Sequence, residues 1–252
     1  MRNFEKPTRS VAVSAKAMAA TSHPYATLTA INILQAGGNA MDAAIAACAV
    51  QCVVEPGSTG VGGDCFALYA PKGGAEVIAY NGSGRTPKAL TIDWFEERGL
   101  TEVPRQSPSA VTIPGAIDAW TRLHADHGRL PLAEVLAPAI RYAEEGYAIS
   151  PRVHRDWKKE EELLAADKAA AEIFLPGGRA PRIGETHRQP KLAATLRKIA
   201  TEGRDGFYKG SVAEDMVAHL NAHGGLHTLE DFAAAKGEYV TPVTTDFRGY
   251  TV

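Results

Sequence analysis

The stretch GGNAMDAAIAACAVQCVV, residues 37–54, decides the fold of this chain. Its two leading glycines suit the left-handed turn that ends a helix, and Asn39 is typical of the residue that caps the next one. Asp42 then stands in the first turn, where the helix dipole favours a negative charge. From Ala40 to Val54 almost every other residue is small or apolar, so the sequence predicts a helix that is buried on nearly all sides.

The segments on either side of this stretch predict one more helix and three strands. Before it, Val11 to Ala15 is predicted as a β-strand and Pro24 to Gln35 as a helix capped by Ser22. After it, a loop dense in glycine runs from Pro56 to Gly63. Beyond that loop the pattern predicts a hairpin, whose two strands are Cys65–Tyr69 and Glu76–Tyr80.

The rest of the chain alternates helical patterns with turns. One helix is entered at Pro114 and ends before Gly128, and a short one opens at Thr228. The other predicted helices are Ile92–Arg98, Leu132–Glu145, Asp156–Ala171, Lys191–Thr201 and Val212–Ala222. Tyr239 to Val252 is typical of strand, turn and strand. Because no repeat or linker interrupts this order, the sequence predicts mixed α and β structure in one body.

Composition places the chain among ordinary globular proteins. Of its 252 residues, 45% are hydrophobic and 22% charged, and 27 basic against 29 acidic residues leave a net charge of −2. A nearly neutral chain does not indicate nucleic acid or an anionic membrane as a partner. Three cysteines are too few for a disulfide framework. Because the N-terminus lacks a convincing signal peptide, we expect a cytoplasmic location, with the periplasm as the alternative.

The glycine-rich loop has only part of the pattern that a phosphate-binding loop needs. Gly57 to Gly62 has the right glycine spacing, but Gly63 and Asp64 stand where lysine and a hydroxyl residue are required. Because a carboxylate repels phosphate, nucleotide binding is not predicted. Asp64 and Glu55 flank the loop, but two carboxylates nine residues apart are weak evidence for acid–base catalysis.

Histidines recur every fourth residue near the C-terminus, at His219, His223 and His227. Two glycines break the helix before the last of them, so the three need not share a face, and no carboxylate or cysteine has a matching offset. The sequence therefore predicts no metal. His124 and His127 receive the same interpretation, because a helix C-terminus favours histidine without any ligand.

Arg85 is the one candidate substrate-binding residue, and it directly follows the turn Asn81–Gly84. A guanidinium beside a glycine turn can grip a substrate carboxylate through two parallel hydrogen bonds. A structural ion pair explains the residue equally well, so both interpretations stay open. No Gly-x-Ser-x-Gly elbow or other self-contained active site is found.

Several further blocks of sequence occur in a recognisable order. Gly37 to Ala44 reads Gly-Gly-Asn-Ala-Met-Asp-Ala-Ala, and Glu55 to Phe66 contains a second glycine-rich block. The later blocks are Ile113–Gly115, Gly128–Pro131, Ala137–Ala139, Phe207–Gly210, Gly224–Leu226, Glu230–Asp231 and Phe247–Tyr250. Together they resemble the γ-glutamyltranspeptidase family. An ordered set that spans nearly the whole chain is far more specific than any single motif.

This resemblance implies an α+β fold, the αββα sandwich of the N-terminal-nucleophile hydrolases. It also implies a zymogen that cleaves itself into a large and a small subunit, which stay together as a heterodimer. A threonine exposed at the start of the small subunit then attacks a γ-glutamyl amide such as glutathione, with its own α-amine as base. The partners expected are the small subunit and a small-molecule amide, and no cofactor is expected.

On this resemblance, residues 1–252 form a single incomplete domain that corresponds to most of the large subunit. The nucleophilic threonine is expected downstream of Val252, so no residue of this chain is assigned as catalytic. We therefore expect the chain alone to be inactive. A truncated, non-catalytic module that only binds its missing half is the alternative from another functional class.

The specificity of such an enzyme is left open by one departure from the family pattern. Family members that act on glutathione carry an arginine that grips the glutamyl α-carboxylate. Aligned without a gap from Lys88-Ala89, that arginine falls on Gly82, and Arg85 lies three residues later. The role is carried over to Arg85, while amidases acting on oxamate or on β-lactam side chains remain alternatives. The preference for transfer or hydrolysis is also open.

Overall fold

The computed structural model describes residues 12–252, in which helices outnumber strands. The helices are α1 Pro24–Gln35, α2 Ala40–Val54, α3 Ile92–Glu96, α4 Ala116–His127, α5 Leu132–Glu145, α6 Pro151–Lys159, α7 Glu161–Ala166, α8 Lys168–Phe174, α9 Pro190–Glu202, α10 Asp205–Tyr208, α11 Gly210–Ala222 and α12 Leu229–Ala234. The strands are β1 Cys65–Tyr69, β2 Ile78–Gly82, β3 Tyr147–Ala148, β4 Thr186–His187, β5 Glu238–Val240, β6 Asp246–Phe247 and β7 Tyr250–Thr251. Among these helices, none combines the length and apolar character needed to cross a membrane.

Helix α2 has the predicted bounds and is the centre of the core. It packs against α1, α4 and α5, and α5 in turn packs against α9. Asn39 caps α2 as predicted: its Oδ1 accepts hydrogen bonds from the backbone N–H groups of Met41 at 3.0 Å and Asp42 at 3.1 Å. Asp42 completes the capping box, because its Oδ2 accepts from the Asn39 N–H at 2.9 Å.

The buried carboxylate of Asp42 also holds a segment distant in sequence. It accepts hydrogen bonds from the backbone N–H of Arg129 at 3.0 Å and from that of Leu130 at 3.3 Å. Asn39 adds a bond from its side-chain amide to the carbonyl of His127 at 2.6 Å. A Cβ at Gly38 would lie 2.7 Å from the Ile33 side chain and 2.9 Å from the Ile33 carbonyl oxygen, so a larger residue would collide with the end of α1. The predicted glycine–asparagine–aspartate motif is thus a junction between α2 and the end of α4.

The main sheet is antiparallel, in the order β1-β2-β5. One face rests on α4, where the ring of Tyr69 lies 5.1 Å from that of His127. On the other face, the alternation of β1 leaves Phe66 and Leu68 exposed. Val240 of β5 lies two strands away in the same row as Leu68, because both residues pair with Ala79 of β2. Two shorter sheets, β3-β4 and β6-β7, have two strands each. Within residues 12–252, the helix that packs closely on this sheet is α4, on the face opposite Phe66 and Leu68.

Several predicted elements differ in the structure. The strand predicted at Val11–Ala15 is absent from residues 12–15, and Val11 lies outside the described part of the chain. The helix predicted at Asp156–Ala171 is divided among α6, α7 and α8. Its breaks have a local cause, because Glu160 departs from helical backbone angles and Asp167 is extended. The second strand of the hairpin also begins two residues later than predicted.

Helix α1 has its predicted bounds but not its predicted cap. His23 is the capping residue, and its Nδ1 accepts a hydrogen bond from the Tyr25 N–H at 3.2 Å. Ser22, the predicted cap, instead donates its hydroxyl to the buried carboxylate of Glu55. A buried carboxylate needs donors, which explains why the serine side chain turns away from the helix end.

Replacement of Asp42 by alanine should lower the free energy of unfolding of this chain by about 3 kcal/mol or more. The change removes the buried carboxylate that accepts hydrogen bonds from three backbone N–H groups, those of Asn39, Arg129 and Leu130. Urea denaturation followed by circular dichroism measures the effect. Asp93, the exposed acid in the first turn of α3, is the matched control, since Asp93→Ala should change stability by no more than about 0.5 kcal/mol. Equal losses of stability in Asp42→Ala and Asp93→Ala would contradict the role of Asp42 in joining α2 to the end of α4.

Candidate functional site

Three segments meet at the end of the main sheet and form the candidate site. They are the glycine-rich loop, the turn after β2 that carries Arg85, and a crossing segment at 113–115. The backbone N–H groups of Gly115 and Ala116 donate to the carbonyl of Gly63 at 3.0 and 2.9 Å. The Ile113 N–H donates to the carbonyl of Arg85 at 2.8 Å. The crossing segment thus joins the loop and the turn.

These segments contact one another backbone to backbone. A Cβ at Gly115 would lie 2.0 Å from the carbonyl oxygen of Gly82, and one at Gly84 would lie 1.9 Å from that of Ile113. Gly82 is equally confined, because its Cβ would lie 2.6 Å from the Cys65 carbonyl oxygen. No larger residue fits at position 82, where the ungapped family alignment places an arginine.

Asp64 anchors the turn from the opposite side. Its Oδ1 accepts a hydrogen bond from the Gly84 N–H at 2.8 Å. The residue that argues against a phosphate loop therefore has a positive role here, as the acceptor that fixes the glycine turn. Glu55, the second carboxylate beside the glycine-rich loop, is bound to Ser22 and to Gln51. The two carboxylates have separate partners and do not share a site.

Arg85 leaves this turn with an accessible guanidinium. Its side chain is 77% exposed, and Nη2 lies 3.5 Å from Oε1 of Glu238, which is itself exposed. An exposed ion pair at this distance contributes little to stability, so a ligand carboxylate can compete with Glu238 for the arginine. Both sequence interpretations of Arg85 are therefore compatible with the geometry. Its role in substrate binding stays a prediction.

A buried polar network supports the region behind Glu238. The carboxylate of Asp118 accepts from Nε of Arg204 at 2.7 Å, from the Gly237 N–H at 2.8 Å and from the Tyr80 hydroxyl at 3.2 Å. Burial, followed by the neighbouring Asp118, raises the pKa of Tyr80, so the hydroxyl keeps its proton and donates. The network borders a cavity of about 730 Å³ that reaches Glu238.

Tyr208 connects this network to the crossing segment. Its hydroxyl donates to the carbonyl of Pro114 at 2.6 Å and accepts from the Asp118 N–H at 3.1 Å. Burial raises the pKa of Tyr208 as well, which keeps the donor protonated. In the sequence, Phe207–Gly210 is recognisable only as a block of the family pattern. No local signal couples it to Asp118, because these residues are brought together by the packing of distant helices.

The histidines of the sequence have different surroundings. His227 is buried and its Nε2 donates to the carbonyl of Val111 at 2.9 Å, apart from the other two histidines of the series. His219 and His223 lie next to each other, with ring centroids 4.6 Å apart. Their nearest carboxylate is Asp167, which sequence spacing did not indicate.

The cysteines are free and are not activated. The spacing of Cys48 and Cys52 on the predicted buried helix indicates that both pack inside; Cys52 is buried, whereas Cys48 lies on an exposed side of α2. Burial raises the pKa of Cys52 to about 12 and that of Cys65 to about 11. These two thiols are therefore protonated at neutral pH. Across residues 12–252, no Ser or Thr hydroxyl and no Cys thiol is hydrogen-bonded to a histidine ring.

Comparisons with known proteins extend over nearly the whole chain. The family model for Gamma-glutamyltranspeptidase matches residues 26–252. The chain is 42% identical over 241 residues to the glutathione hydrolase-like YwrD proenzyme of Bacillus subtilis, covering 95% of this chain and 46% of that protein. It is 38% identical over 239 residues to the oxamate amidohydrolase proenzyme of Klebsiella pneumoniae, covering 92% and 44%.

A solved structure extends this similarity to the fold. The cephalosporin acylase of Bacillus halodurans superposes with a TM-score of 0.91 at 43% identity, covering 99% of this chain and 48% of that one. The predicted α+β fold of this type is thereby confirmed for the region present. The chain spans less than half the length of each of these relatives.

Replacement of Gly115 by alanine should disrupt the candidate site and lower stability by about 1–3 kcal/mol or more, since the new Cβ collides with the Gly82 carbonyl. The backbone angle is not the cause, because φ at Gly115 is −104° and suits any residue. Gly62→Ala is the control, with no atom within 4 Å of the added Cβ. Thermal unfolding of both variants checks the prediction. A Gly115→Ala protein as stable as the Gly62→Ala control would rule out the close approach of Gly115 to the Gly82 carbonyl.

Proposed function

Since this chain belongs to the γ-glutamyltranspeptidase family, we propose that it is the large-subunit part of an enzyme that transfers or hydrolyses the γ-glutamyl group of glutathione-type amides. The observation that carries this proposal is the family match across residues 26–252. That match includes all three segments of the candidate site, together with the Asn39–Asp42 junction. The resemblance inferred from the sequence blocks is thus confirmed at the level of the family.

The proposed chemistry needs a nucleophile that lies outside residues 12–252. We infer that a threonine downstream of Val252 becomes the N-terminus of a small subunit when the precursor cleaves itself. Its hydroxyl oxygen attacks the γ-glutamyl carbonyl, and its α-amine takes the hydroxyl proton. The amide nitrogen leaves as an amine, and an ester joins the acyl group to the threonine. Water or a second amine then releases the acyl group. The chain alone should therefore be inactive.

The face of the main sheet that carries Phe66 and Leu68, called the open face, supports the proposal that a second layer covers it in the complete protein. Phe66 and Leu68 of β1 are 68% and 75% exposed, and Val240, on β5 at the other side of β2, is 40% exposed. Soluble proteins rarely leave such an apolar surface uncovered. An αββα sandwich would cover it with a second sheet, stacked about 10 Å away. We propose that the small subunit supplies this sheet and completes the domain.

Arg85 is the proposed binding residue for a substrate carboxylate. Its exposed guanidinium lies at the end of β2, and the fixed glycine turn gives it a defined position. The confinement of Gly82 excludes an arginine at the ungapped position, so the shifted Arg85 is the candidate that remains in this turn. A γ-glutamyl α-carboxylate has the planar geometry that a guanidinium binds through two hydrogen bonds.

A different acyl group is the second candidate. The identity to an oxamate amidohydrolase and to a cephalosporin acylase shows that relatives named for other amides are as similar in sequence as the glutathione hydrolase-like one. Oxamate and many acylase substrates also carry a carboxylate that Arg85 can hold. The choice between a γ-glutamyl group and another acyl group therefore depends on substrate-binding residues other than Arg85, and it must be made by assay.

The substrate assay uses the complete precursor with its downstream half. We expect self-cleavage and turnover of a chromogenic γ-glutamyl anilide that exceeds turnover of oxamate or an acyl-β-lactam. Turnover of another amide without any γ-glutamyl turnover would replace the first candidate by the second. A precursor that neither cleaves itself nor turns over any of the three would identify a non-catalytic module.

Replacement of Arg85 by alanine in that precursor should raise KM for the γ-glutamyl substrate by about tenfold to a hundredfold, with a smaller effect on kcat. The expected size corresponds to about 1.5–3 kcal/mol for hydrogen bonds to a charged group. Steady-state kinetics measures both constants. Arg105→Ala, at another exposed arginine, serves as the control. An unchanged KM for Arg85→Ala would remove this residue from the substrate site.

The double substitution Phe66→Ser and Leu68→Ser should prevent stable association with the small subunit, because it makes the open face polar. The readout is co-purification of the two subunits and their elution in size-exclusion chromatography. The same variant of the isolated chain should self-associate less than the unchanged chain. Ile92→Ser is the matched control, since Ile92 is 77% exposed on α3. Normal assembly of the double variant would contradict the proposed docking face.

A further inference from the structure

The end of α11 carries a cluster of metal-binding side chains that the site around Arg85 does not use. His219 and His223 lie one helical turn apart, and Asp167 reaches them from the connection between α7 and α8. One ligand atom from each residue lies within 4.8 Å of the other two. We propose that these three side chains bind a divalent transition-metal ion of the zinc class. This inference does not depend on the proposed function.

The spacing of the cluster fits a tetrahedral ion. Zinc bonds to imidazole nitrogen and carboxylate oxygen are about 2.0–2.2 Å long, so two ligand atoms of a tetrahedron lie roughly 3.4 Å apart. The structure places Nε2 of His223 3.6 Å from Oδ2 of Asp167. Residues four apart on a helix share one face, which brings the ring of His219 beside that of His223. The three ligand atoms lie within 4.8 Å of one another, so binding of an ion would draw them together.

The tautomer of the His223 ring suits metal binding. Its Nδ1 lies 2.9 Å from the carbonyl oxygen of His219. A carbonyl oxygen can only accept, so Nδ1 carries the proton and donates it. In a neutral imidazole the lone pair is then on Nε2, the atom that points at Asp167. A backbone carbonyl on the second ring nitrogen is the usual device that orients a metal-binding histidine.

Asp167 is oriented in a comparable way. Its Oδ1 accepts a hydrogen bond from the Ala170 N–H at 2.6 Å, as the cap of α8. This bond fixes the carboxylate and leaves Oδ2 directed at His223. The ion would therefore connect α11 to the start of α8, two elements that sequence analysis treated separately. Sequence spacing pointed to His227 as the third member of the histidine series, whereas the fold places Asp167 beside His219 and His223.

The donor set also indicates which ions fit. Two imidazole nitrogens and one carboxylate suit Zn²⁺, Ni²⁺ or Cu²⁺, whereas Ca²⁺ and Mg²⁺ require a cage of oxygen ligands. Three protein ligands leave a fourth tetrahedral position for water. An ion pair between His223 and Asp167 is the simpler interpretation. It requires a charged ring beside His219 and gains little at an exposed surface.

Titration of the metal-stripped chain with Zn²⁺ by isothermal calorimetry tests the proposal. We expect one saturable site, no comparable binding of Mg²⁺, and a rise in melting temperature with Zn²⁺ concentration. Co²⁺ should give the visible absorption of a tetrahedral site with nitrogen and oxygen ligands. His219→Ala and His223→Ala should each weaken Zn²⁺ binding at least about tenfold, and Asp167→Asn should do the same.

Glu214→Gln is the matched control, because Glu214 is exposed on the same helix and outside the cluster. This variant should bind Zn²⁺ as the unchanged chain does. Circular dichroism of every variant verifies folding, and His219→Gln serves where an alanine variant does not fold. The absence of a saturable Zn²⁺ site in the unchanged chain would overturn the proposal. Equal affinity in the histidine variants would overturn it as well.

Discussion

The structure depends on one buried carboxylate. Asp42 closes the capping box of α2 and, with the same two oxygens, holds the backbone that follows α4. The charge has no lysine or arginine partner among its hydrogen bonds, so backbone N–H groups and the dipole of α2 compensate for its burial. Because α4 carries the main sheet on its other side, the position of the sheet follows from this contact.

A second constraint transmits that position to the candidate site. The crossing segment leads directly into α4, and its glycine lies against the backbone of the turn after β2. The buried network around Asp118 also holds the crossing segment, because the Tyr208 hydroxyl accepts from the Asp118 N–H and donates to the Pro114 carbonyl. Arg85 is therefore exposed at its tip but anchored at its base. This combination gives a long side chain a defined starting point while leaving its charge available to a ligand.

Local signals explain what the sequence could predict. Pro24, the glycine pair before Asn39 and Gly146 mark helix ends through their own backbone preferences, so the bounds of α1, α2 and α5 were predicted correctly. Family membership followed from the ordered sequence blocks, several of which contain such helix-end residues. The pairs Asp118–Arg204 and Asp167–His223 join residues far apart in sequence, and only the packed chain brings them together. Sequence spacing alone therefore did not indicate that Asp167 lies beside His219 and His223.

The uncovered face of β1 has a consequence for assembly. Its backbone is also an edge of the sheet, so Phe66 and Leu68 lie on a strand that another molecule's strand could extend. The proposed small subunit, encoded on the same polypeptide, would meet this face at an effective concentration of roughly millimolar, set by the connecting chain and not by expression level. Intramolecular docking then outcompetes pairing between separate molecules. Synthesis as a single precursor would thus protect the sheet from aggregation, whatever its further purpose in catalysis.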